Sequence, residues 1–399
     1  MRIIPLSVIG FYLGLLSAFS QTPQQDDSST YKNRKLKTYE VNFIGSYYSQ
    51  DGNHSAVTGG TGTEKLTDFS TAIDLLITRK DTLDRTHSWN FEIAADAYSS
   101  ASSDKIDPTT ISSASSQDIR YYPSASYTIR NERKHHSIGF EGSFSQEFDY
   151  TSFGTALNLS KFSKDNNREV SLKLQAFFDR WKIILPIELR GNMNGHSVDL
   201  SKDQRNSFNA SIVFSQIVNS RFQFAIIADP SYQQGLLGTL FNRIYFADNS
   251  LSVEKLPDTR TKYPIGLRMN YFLTDQLILR TFLRYYTDDW DLKSNTFSIE
   301  TPYKISPLFS VSPFYRFYTQ TAIKYFAGYK EHLPSEEFYS SDYDLSEFNS
   351  QFFGINLRKV SVDGIFGIKT WNTIELRYGY YMRSDGLRAN TITLALMFK

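Results

Sequence analysis

The chain of 399 residues contains no cysteine. This absence excludes disulfide bridges, thiolate catalysis, cysteine-ligated metal sites and a lipidated N-terminal cysteine. An excess of one sign of charge is also lacking, because 43 Lys and Arg face 42 Asp and Glu and leave a net charge of +1. A nucleic-acid-binding protein needs a clearly basic surface, so that class is disfavoured. Beyond residue 20, no apolar run approaches the length of a membrane-spanning helix.

The N-terminus has the features of a signal peptide. Arg2 supplies a positive charge, residues 3–16 form a short apolar core, and Ala18 and Ser20 give a small-x-small cleavage site. We therefore predict a signal peptide over residues 1–20 and a mature protein that is exported. The polar stretch that follows, residues 21–36, is predicted to be a disordered N-terminal segment.

Aromatic residues are abundant, with 26 Tyr and 31 Phe, yet the mean hydropathy is only −0.38. Strict alternation produces this combination, because each lipid-facing apolar residue is followed by a polar residue facing inward. Residues 372–399 show the pattern, since two alternating runs flank an Asp385-Gly386 turn, which is a strong hairpin signal. Taken alone, this hairpin fits the closing strand of a transmembrane barrel and the last strand of a soluble β-sandwich equally well.

The rest of the chain favours the barrel. From residue 37 onward, about 16 alternating runs of roughly 11 residues follow one another, which matches the length of a tilted transmembrane strand. The connections between these runs alternate in kind. Short, charged connections alternate with long ones that are rich in Ser, Gly, Asp, Asn and Tyr. We predict an all-β fold over residues 37–399, a transmembrane antiparallel β-barrel in the outer membrane of a Gram-negative cell, with short periplasmic turns and long external loops.

Three stretches, residues 41–68, 99–108 and 311–321, resemble the family catalogued as domain of unknown function 3570. The first of them contains the Gly-rich loop Gly59-Gly60-Thr61-Gly62, and the similarity extends over nearly all of the mature chain. The resemblance implies an exported outer-membrane barrel of uncharacterised role. It brings no catalytic or binding residues, so the function must be inferred from the residues themselves.

Alternation also assigns a facing to each charged residue. Leu277, Leu279 and Leu283 form a lipid-facing set, which turns Arg280 and Arg284 inward. The same reasoning predicts a pore-lining basic wall in the C-terminal half and an acidic patch near the N-terminal strands, made of Arg268, Arg280, Arg284, Arg316 and Arg377 on one side and Asp74, Glu92 and Asp96 on the other. Two interpretations stay open: a water-filled pore crossed by a transverse field, or a lumen plugged by ion pairs and loops.

Three functions follow from these interpretations. The first is a porin-like channel for small polar solutes or ions, and the second is a closed barrel that serves as a scaffold or partner platform for an exported redox or secretion system. The third is an outer-membrane hydrolase with His54 or His332 as base, which we rank last because no local nucleophile–base motif or zinc motif is present. We therefore predict no enzyme activity and no cofactor.

Acidic loop clusters are weak calcium candidates, because carboxylate oxygens suit Ca²⁺. No EF-hand spacing occurs, and solvated turns in which Asp caps backbone amides are the favoured explanation. These residues are Asp104, Asp107, Asp288, Asp289, Asp342 and Asp344. The expected partners are outer-membrane lipid, small polar solutes and the barrel-assembly machinery during biogenesis. No nucleic acid is expected, and a homo-oligomer stays open.

Overall fold

The structure is a computed structural model that describes residues 37–99, 117–189 and 202–399. The predicted signal peptide, the predicted disordered segment and the calcium candidates Asp104 and Asp107 lie outside the described residues. No helix among the described residues has the length and apolarity needed to cross a membrane. Three short 3-10 helices occur, at Ala56–Thr58, Ile187–Leu189 and Tyr343–Leu345.

Nearly all other regular structure is β-strand. The strand segments are β1 Lys37–Asp51, β2 Leu66–Lys80, β3 Arg85–Ser99, β4 Gln117–Asn131, β5 His136–Gln146, β6 Tyr150–Phe162, β7 Arg168–Lys182, β8 Lys202–Asn219, β9 Phe222–Ala228, β10 Ser231–Gly235, β11 Arg243–Tyr245, β12 Leu251–Val253, β13 Thr259–Lys262, β14 Ile265–Phe272, β15 Ile278–Thr287, β16 Lys293–Glu300, β17 Tyr303–Ser306, β18 Phe309–Gln320, β19 Phe348–Val360, β20 Trp371–Arg383 and β21 Arg388–Phe398.

All segments except the small hairpin β11–β12 belong to one antiparallel sheet. The sheet closes on itself because β1 pairs with β21, in a register that runs from Val41 opposite Phe398 to Asp51 opposite Arg388. Because the first strand pairs with the last, the described sheet has no edge strand. The predicted all-β barrel of 16 antiparallel strands is confirmed, and the terminal hairpin is its closing element.

Three of the 16 strands are broken, and each break contains a proline. Pro230 lies between β9 and β10, Pro264 between β13 and β14, and Pro302 between β16 and β17. Proline has no backbone N–H to give to the ladder, so pairing is interrupted there. The strands continue past the breaks because each proline carbonyl still accepts a bond, as Pro302 O does from Ile278 N at 3.0 Å.

The outer face of the barrel is apolar. Alternate residues along each strand expose large hydrophobic side chains, as in β3, where Phe91 and Ile93 are half exposed. Neighbouring strands continue this belt with Phe69, Phe140 and Phe153. An apolar belt around a closed barrel has the form of a lipid-facing surface.

The two ends of the barrel differ. One end carries the tight connections, such as residues 81–84 and 220–221, and the opposite end carries the long loops 52–65, 236–258 and 321–347. Three connections at the loop-rich end are short, namely residues 147–149, 288–292 and 384–387. These short connections contribute to the rim itself, as described below.

Candidate functional site: the lumen and its loop cap

Contacts between distant strands identify the inner face of the barrel. Arg377 on β20 lies 3.4 Å from Glu300 on β16, although β18 and β19 separate the two strands. Side chains can meet across intervening strands only on the concave side of a sheet. The ring of Phe314 lies on the same side, against Gly354, where an added Cβ would lie only 2.7 Å from it. A Cβ added at Gly379 would collide with the Phe352 ring at 2.5 Å. These glycines make room for the two aromatic rings inside the lumen.

The predicted basic residues differ in their contacts on this inner face. Glu300 holds two of them, Arg280 at 3.2 Å and Arg377 at 3.4 Å. Arg377 also stacks on Phe314, with 3.9 Å between the guanidinium carbon and the ring centre. These two arginines therefore share one carboxylate, and their charge is only half neutralised.

The other three predicted arginines have no ion pair with a carboxylate in the described part of the chain. Arg268 and Arg316 lie over the rings of Phe282 and Phe352, at 5.8 and 5.0 Å. Arg284 is exposed and stands opposite Gly266 and Thr296, which carry no charge. An aromatic face attracts a cation but does not neutralise it.

The predicted acidic residues lie on β2 and β3. Asp74 stands opposite Glu92 in the ladder and accepts a 3.3 Å bond from the Asn42 side chain. Asp96, four residues beyond Glu92 in β3, accepts a 2.8 Å hydrogen bond from the Tyr122 hydroxyl. None of the three carboxylates is paired with a cationic side chain of residues 37–99, 117–189 or 202–399.

The order of the strands around the barrel places the acidic residues opposite the basic residues. In the closed sheet, β2 and β3 are the second and third strands, and the strands that hold Arg268, Arg280 and Arg284 are the tenth and eleventh. In a ring of 16 strands, positions eight apart are diametrically opposite. The fold therefore places the unpaired carboxylates and the unpaired arginines on facing walls.

The largest fully buried side chains of the described residues lie in the loops, not in the barrel wall. Arg243, Ile244, His332, Ser340 and Ser341 are all 2% exposed or less. Two apolar clusters hold the loops together, made of Val57, Ile184 and Phe241 in the first, and of Leu237, Leu256, Tyr286, Trp290, Leu292, Ile323, Tyr325, Phe326 and Leu345 in the second. We call residues 52–65, 183–189, 236–258, 288–292 and 321–347 the loop cap.

The loop cap extends across the mouth of the barrel. Arg243 donates to the Val57 backbone oxygen and to Glu188, both at 2.9 Å. Arg243 lies in the loop between the ninth and tenth strands, and Val57 lies in the loop between the first and second, so this contact joins opposite sides of the ring. The ring of His54 stacks on Tyr343 at 3.9 Å and adds a link from the first loop to the loop 321–347.

The histidines of the hydrolase hypothesis serve as backbone supports within the cap. His332 is 1% exposed, and its Nδ1 lies 2.6 Å from Glu336 while its Nε2 lies 3.0 Å from the Ser340 backbone oxygen. The Ser340 hydroxyl bonds to Glu254 instead of to the imidazole. His54 contacts the Gly60 backbone oxygen at 3.0 Å. Neither ring nitrogen of these two residues meets a described serine hydroxyl.

The described calcium candidates already accept bonds from protein donors. Asp288 accepts from Arg260, Tyr286 and the backbone N–H groups of Trp290 and Leu292. Asp289 accepts from Thr261 N. Asp342 accepts from Asp344 N, and Asp344 pairs with Arg383. The oxygens of these carboxylates therefore stabilise turns and contacts at the rim.

Acidic groups crowd where the cap meets the rim. The pKa of Glu64 is raised to about 7, mainly by burial and further by the charges of Asp344 and Asp385, against the lowering effect of Arg383. Burial also raises the pKa of Asp342, together with the nearby carboxylates Asp344 and Glu254. The folded cap therefore binds protons more tightly than the same groups do in water.

A lumen plugged by loops was one of the two interpretations left open by the sequence, but which loops form the cap was not predicted. The sequence does contain a signal for a packed cap. The loops 236–258 and 321–347 carry apolar residues that a solvated loop does not need, such as Leu236, Leu237, Phe241 and Phe326. Alternation assigns facings along strands and carries no information about how loops pack. The partners of Arg243 therefore became visible only in three dimensions.

Comparison with known proteins places the fold in context. The profile of the family described as "Protein of unknown function (DUF3570)" matches residues 15–394. No curated protein matches the sequence. Among solved structures, a bacterial polysaccharide outer membrane secretin is similar, with 11% identity, a TM-score of 0.44, and coverage of 90% of this chain and 98% of its own. OccD3 (OpdP) of Pseudomonas aeruginosa is similar at 9% identity and a TM-score of 0.44, with 91% of each chain covered. These similarities concern the fold alone.

Proposed function

The chain belongs to the family described as Protein of unknown function (DUF3570), and we propose that it is an outer-membrane channel for small polar solutes or ions. In this proposal the apolar belt contacts lipid, the lumen is filled with water, and the loop cap narrows the external mouth. The proposal rests on one observation: charged side chains face each other across the lumen without ion-pair partners among the described residues.

Unpaired charges need water. Arg284 has no ion pair with a described carboxylate, and Asp74 and Glu92 have none with a described cation. Removing such a charge from water costs at least several kcal/mol, so a dry lumen would drive these residues into pairs. Keeping them apart on opposite walls is favourable only if water occupies the space between.

The opposite charges of the two walls also suggest which solutes pass through the channel. A positive wall facing a negative wall creates a field across the pore, which orients dipolar solutes and sets the preference for ions. The loop cap restricts access, because Arg243 ties loops from opposite sides of the ring together. We therefore infer a narrow, selective channel in place of a wide diffusion pore.

A second function, a closed barrel that acts as a partner platform, is favoured by the cap itself. A folded surface with a buried core at the external end, such as the Trp290 and Ile323 cluster, can present a fixed shape to another protein. This function needs no water-filled lumen, and it leaves the unpaired charges of Arg284 and Glu92 unexplained.

Charge reversal tests the channel. We expect Arg284→Glu to shift ion selectivity toward cations, by roughly twofold per unit of charge, because a charge about 10 Å from an ion in water changes its energy by about 0.4 kcal/mol. The measurement is the reversal potential of the purified protein in a planar bilayer under a salt gradient.

Lys164→Glu is the matched control for that experiment, because Lys164 changes the net charge equally but lies in the exposed turn between β6 and β7. An unchanged reversal potential in Arg284→Glu, or an equal shift in Lys164→Glu, would remove the lumen arginines from the account and leave the platform function.

A further inference from the structure

Three carboxylates that the sequence analysis did not single out meet at the loop-rich rim. Asp118 lies at the start of β4, and Glu147 and Asp149 lie in the short connection between β5 and β6. One oxygen from each residue lies within 4.8 Å of the others. This cluster lies outside the loop cap and shares no residue with the charged lumen walls.

Two of the three carboxylates are buried and incompletely bonded. Asp118 is 3% exposed and Asp149 is 7% exposed. Oδ1 of Asp118 accepts a bond from the next backbone N–H, while Oδ2 of Asp118 and Oδ1 of Asp149 are buried and have no hydrogen-bond partner among the described residues. A buried carboxylate oxygen without a donor is costly, so the arrangement lacks a positive group.

The neighbouring cations leave Asp118 and Asp149 unpaired. Arg120 forms an ion pair with Glu147 at 3.4 Å and donates a hydrogen bond to the Ser145 hydroxyl at 2.9 Å. Lys182 donates to the Phe148 backbone oxygen at 2.8 Å. Asp118 and Asp149 are therefore left without an ion pair from either of these side chains.

Repulsion between the carboxylates of the cluster raises the pKa of Asp149. The pKa of Asp149 is raised to about 6, mainly by burial and next by the adjacent carboxylate of Asp118. A bound cation would reverse this effect, because it favours the ionised form of each ligand.

The topology explains why the cluster lies at this point. The last ladder pair between β4 and β5 at this end is Tyr121 with Gln146. Above it, the first residues of β4 have no backbone partner in β5, and the connection 147–149 turns past them toward β6. The first residues of β4 do pair with β3, as Tyr98 with Asp118. A cation held by all three carboxylates would fasten the unpaired β5 side of this end of β4 to the turn.

We propose that Asp118, Glu147 and Asp149 bind a divalent cation of the calcium type at the rim of the barrel. The ligand set consists of oxygen only, which suits Ca²⁺ and excludes the nitrogen and sulfur ligands that zinc prefers. Water completes the coordination shell, since Ca²⁺ takes six to eight oxygens. The site acts on the structure of the rim and is independent of the proposed channel function.

The test uses the full-length folded barrel in detergent, first stripped of metal with a chelator and then given Ca²⁺. We expect Ca²⁺ to raise the temperature at which the folded gel band converts to the unfolded band, by roughly 5 °C at saturation. Asp149→Asn and Asp118→Asn lose this shift. Asp203→Asn, which removes an exposed carboxylate near the same rim at the start of β8, retains it.

The metal-free proteins separate a cation site from a merely structural cluster. Without metal, Asp149→Asn converts at the same temperature as the wild type or higher, because the substitution removes a repelling charge. A structural role for the carboxylate would instead lower this temperature with and without Ca²⁺, and that result would overturn the proposal.

Terbium gives a second readout that does not depend on stability. The Tyr98 hydroxyl donates to Glu147 at 2.7 Å, which places a light-absorbing ring beside the site. We expect tyrosine-sensitised Tb³⁺ luminescence that Ca²⁺ displaces, that Asp149→Asn abolishes and that Tyr98→Phe weakens. Luminescence that is equal in the wild type and in Asp149→Asn, together with no Ca²⁺ shift in the wild type, would refute the site.

Discussion

Glu300 shows how single residues tune the charge of the lumen. It accepts bonds from Arg280 and Arg377, which reach it from β15 and β20. Arg280 is half exposed, so the pair with Glu300 adds little to stability, as exposed ion pairs contribute about 0–1 kcal/mol. The main effect of Glu300 is neutralisation, because its carboxylate offsets part of the positive charge of two arginines on the lumen wall.

Removing Glu300 therefore has the opposite effect to reversing Arg284. We expect Glu300→Gln to shift selectivity toward anions by roughly twofold, since one negative charge is lost from the lumen wall. The barrel stays folded, and the measurement is again the reversal potential under a salt gradient. A shift toward cations, or none at all, would show that these arginines do not face the conduction path.

Residue facing was the part of this arrangement that sequence could predict. The inward set on β15, Arg280 and Arg284, follows from the period of two once the leucines are assigned to lipid. The partner of each arginine could not be predicted, because Glu300 reaches Arg377 across two intervening strands. The same holds for two adjacent tyrosines. Alternation places them on opposite faces, with Tyr121 exposed, but it does not reveal that the Tyr122 hydroxyl donates to Asp96 on the inner face.

At the scale of elements, strands and loops differ in what sequence reveals. Strand existence and number follow from alternation, but the breaks at Pro230, Pro264 and Pro302 divide runs that read as continuous. Proline marks such breaks because it withholds one donor from the ladder, whereas Pro313 lies within β18 without ending it. Whether a given proline interrupts a strand depends on the neighbouring strands.

The loop cap leads to a prediction about Arg243. We expect Arg243→Ala to loosen the cap while the barrel stays closed, because the substitution removes charge-assisted bonds to Val57 and Glu188 that contribute about 1.5–3 kcal/mol each. The single-channel conductance should rise, and limited proteolysis should cut loop 236–258 faster.

Lys255→Ala is the control for the Arg243 variant, since Lys255 lies in the same loop with an exposed side chain. If Arg243→Ala left both conductance and proteolysis at the level of Lys255→Ala, the contact across the mouth would not restrict access to the lumen.

At the scale of the whole molecule, the junction of cap and barrel makes the mouth sensitive to pH. Glu64 has an ordinary pKa of 4.5, which folding raises to about 7, mainly through burial. The folded state thus binds this proton more tightly than the unfolded state does. The stability of the cap consequently falls as the pH rises from about 4.5 through 7.

We therefore expect a smaller conductance at pH 5 than at pH 8, because the cap is held more firmly at the lower pH. Glu64→Gln resembles the protonated side chain and should keep the low-pH conductance at both values. Equal pH responses of the wild type and Glu64→Gln would assign the effect to other groups.

The central claim is that the barrel encloses a water-filled path that the loop cap narrows. Single-channel recording of the purified, folded protein in a planar bilayer tests it most directly, with heat modifiability on a gel to prove that the barrel is intact. We expect stable, small conductance steps that become larger in Arg243→Ala. An intact barrel that gives no steps, in the wild type and in Arg243→Ala alike, would contradict the channel and make the external cap the functional surface.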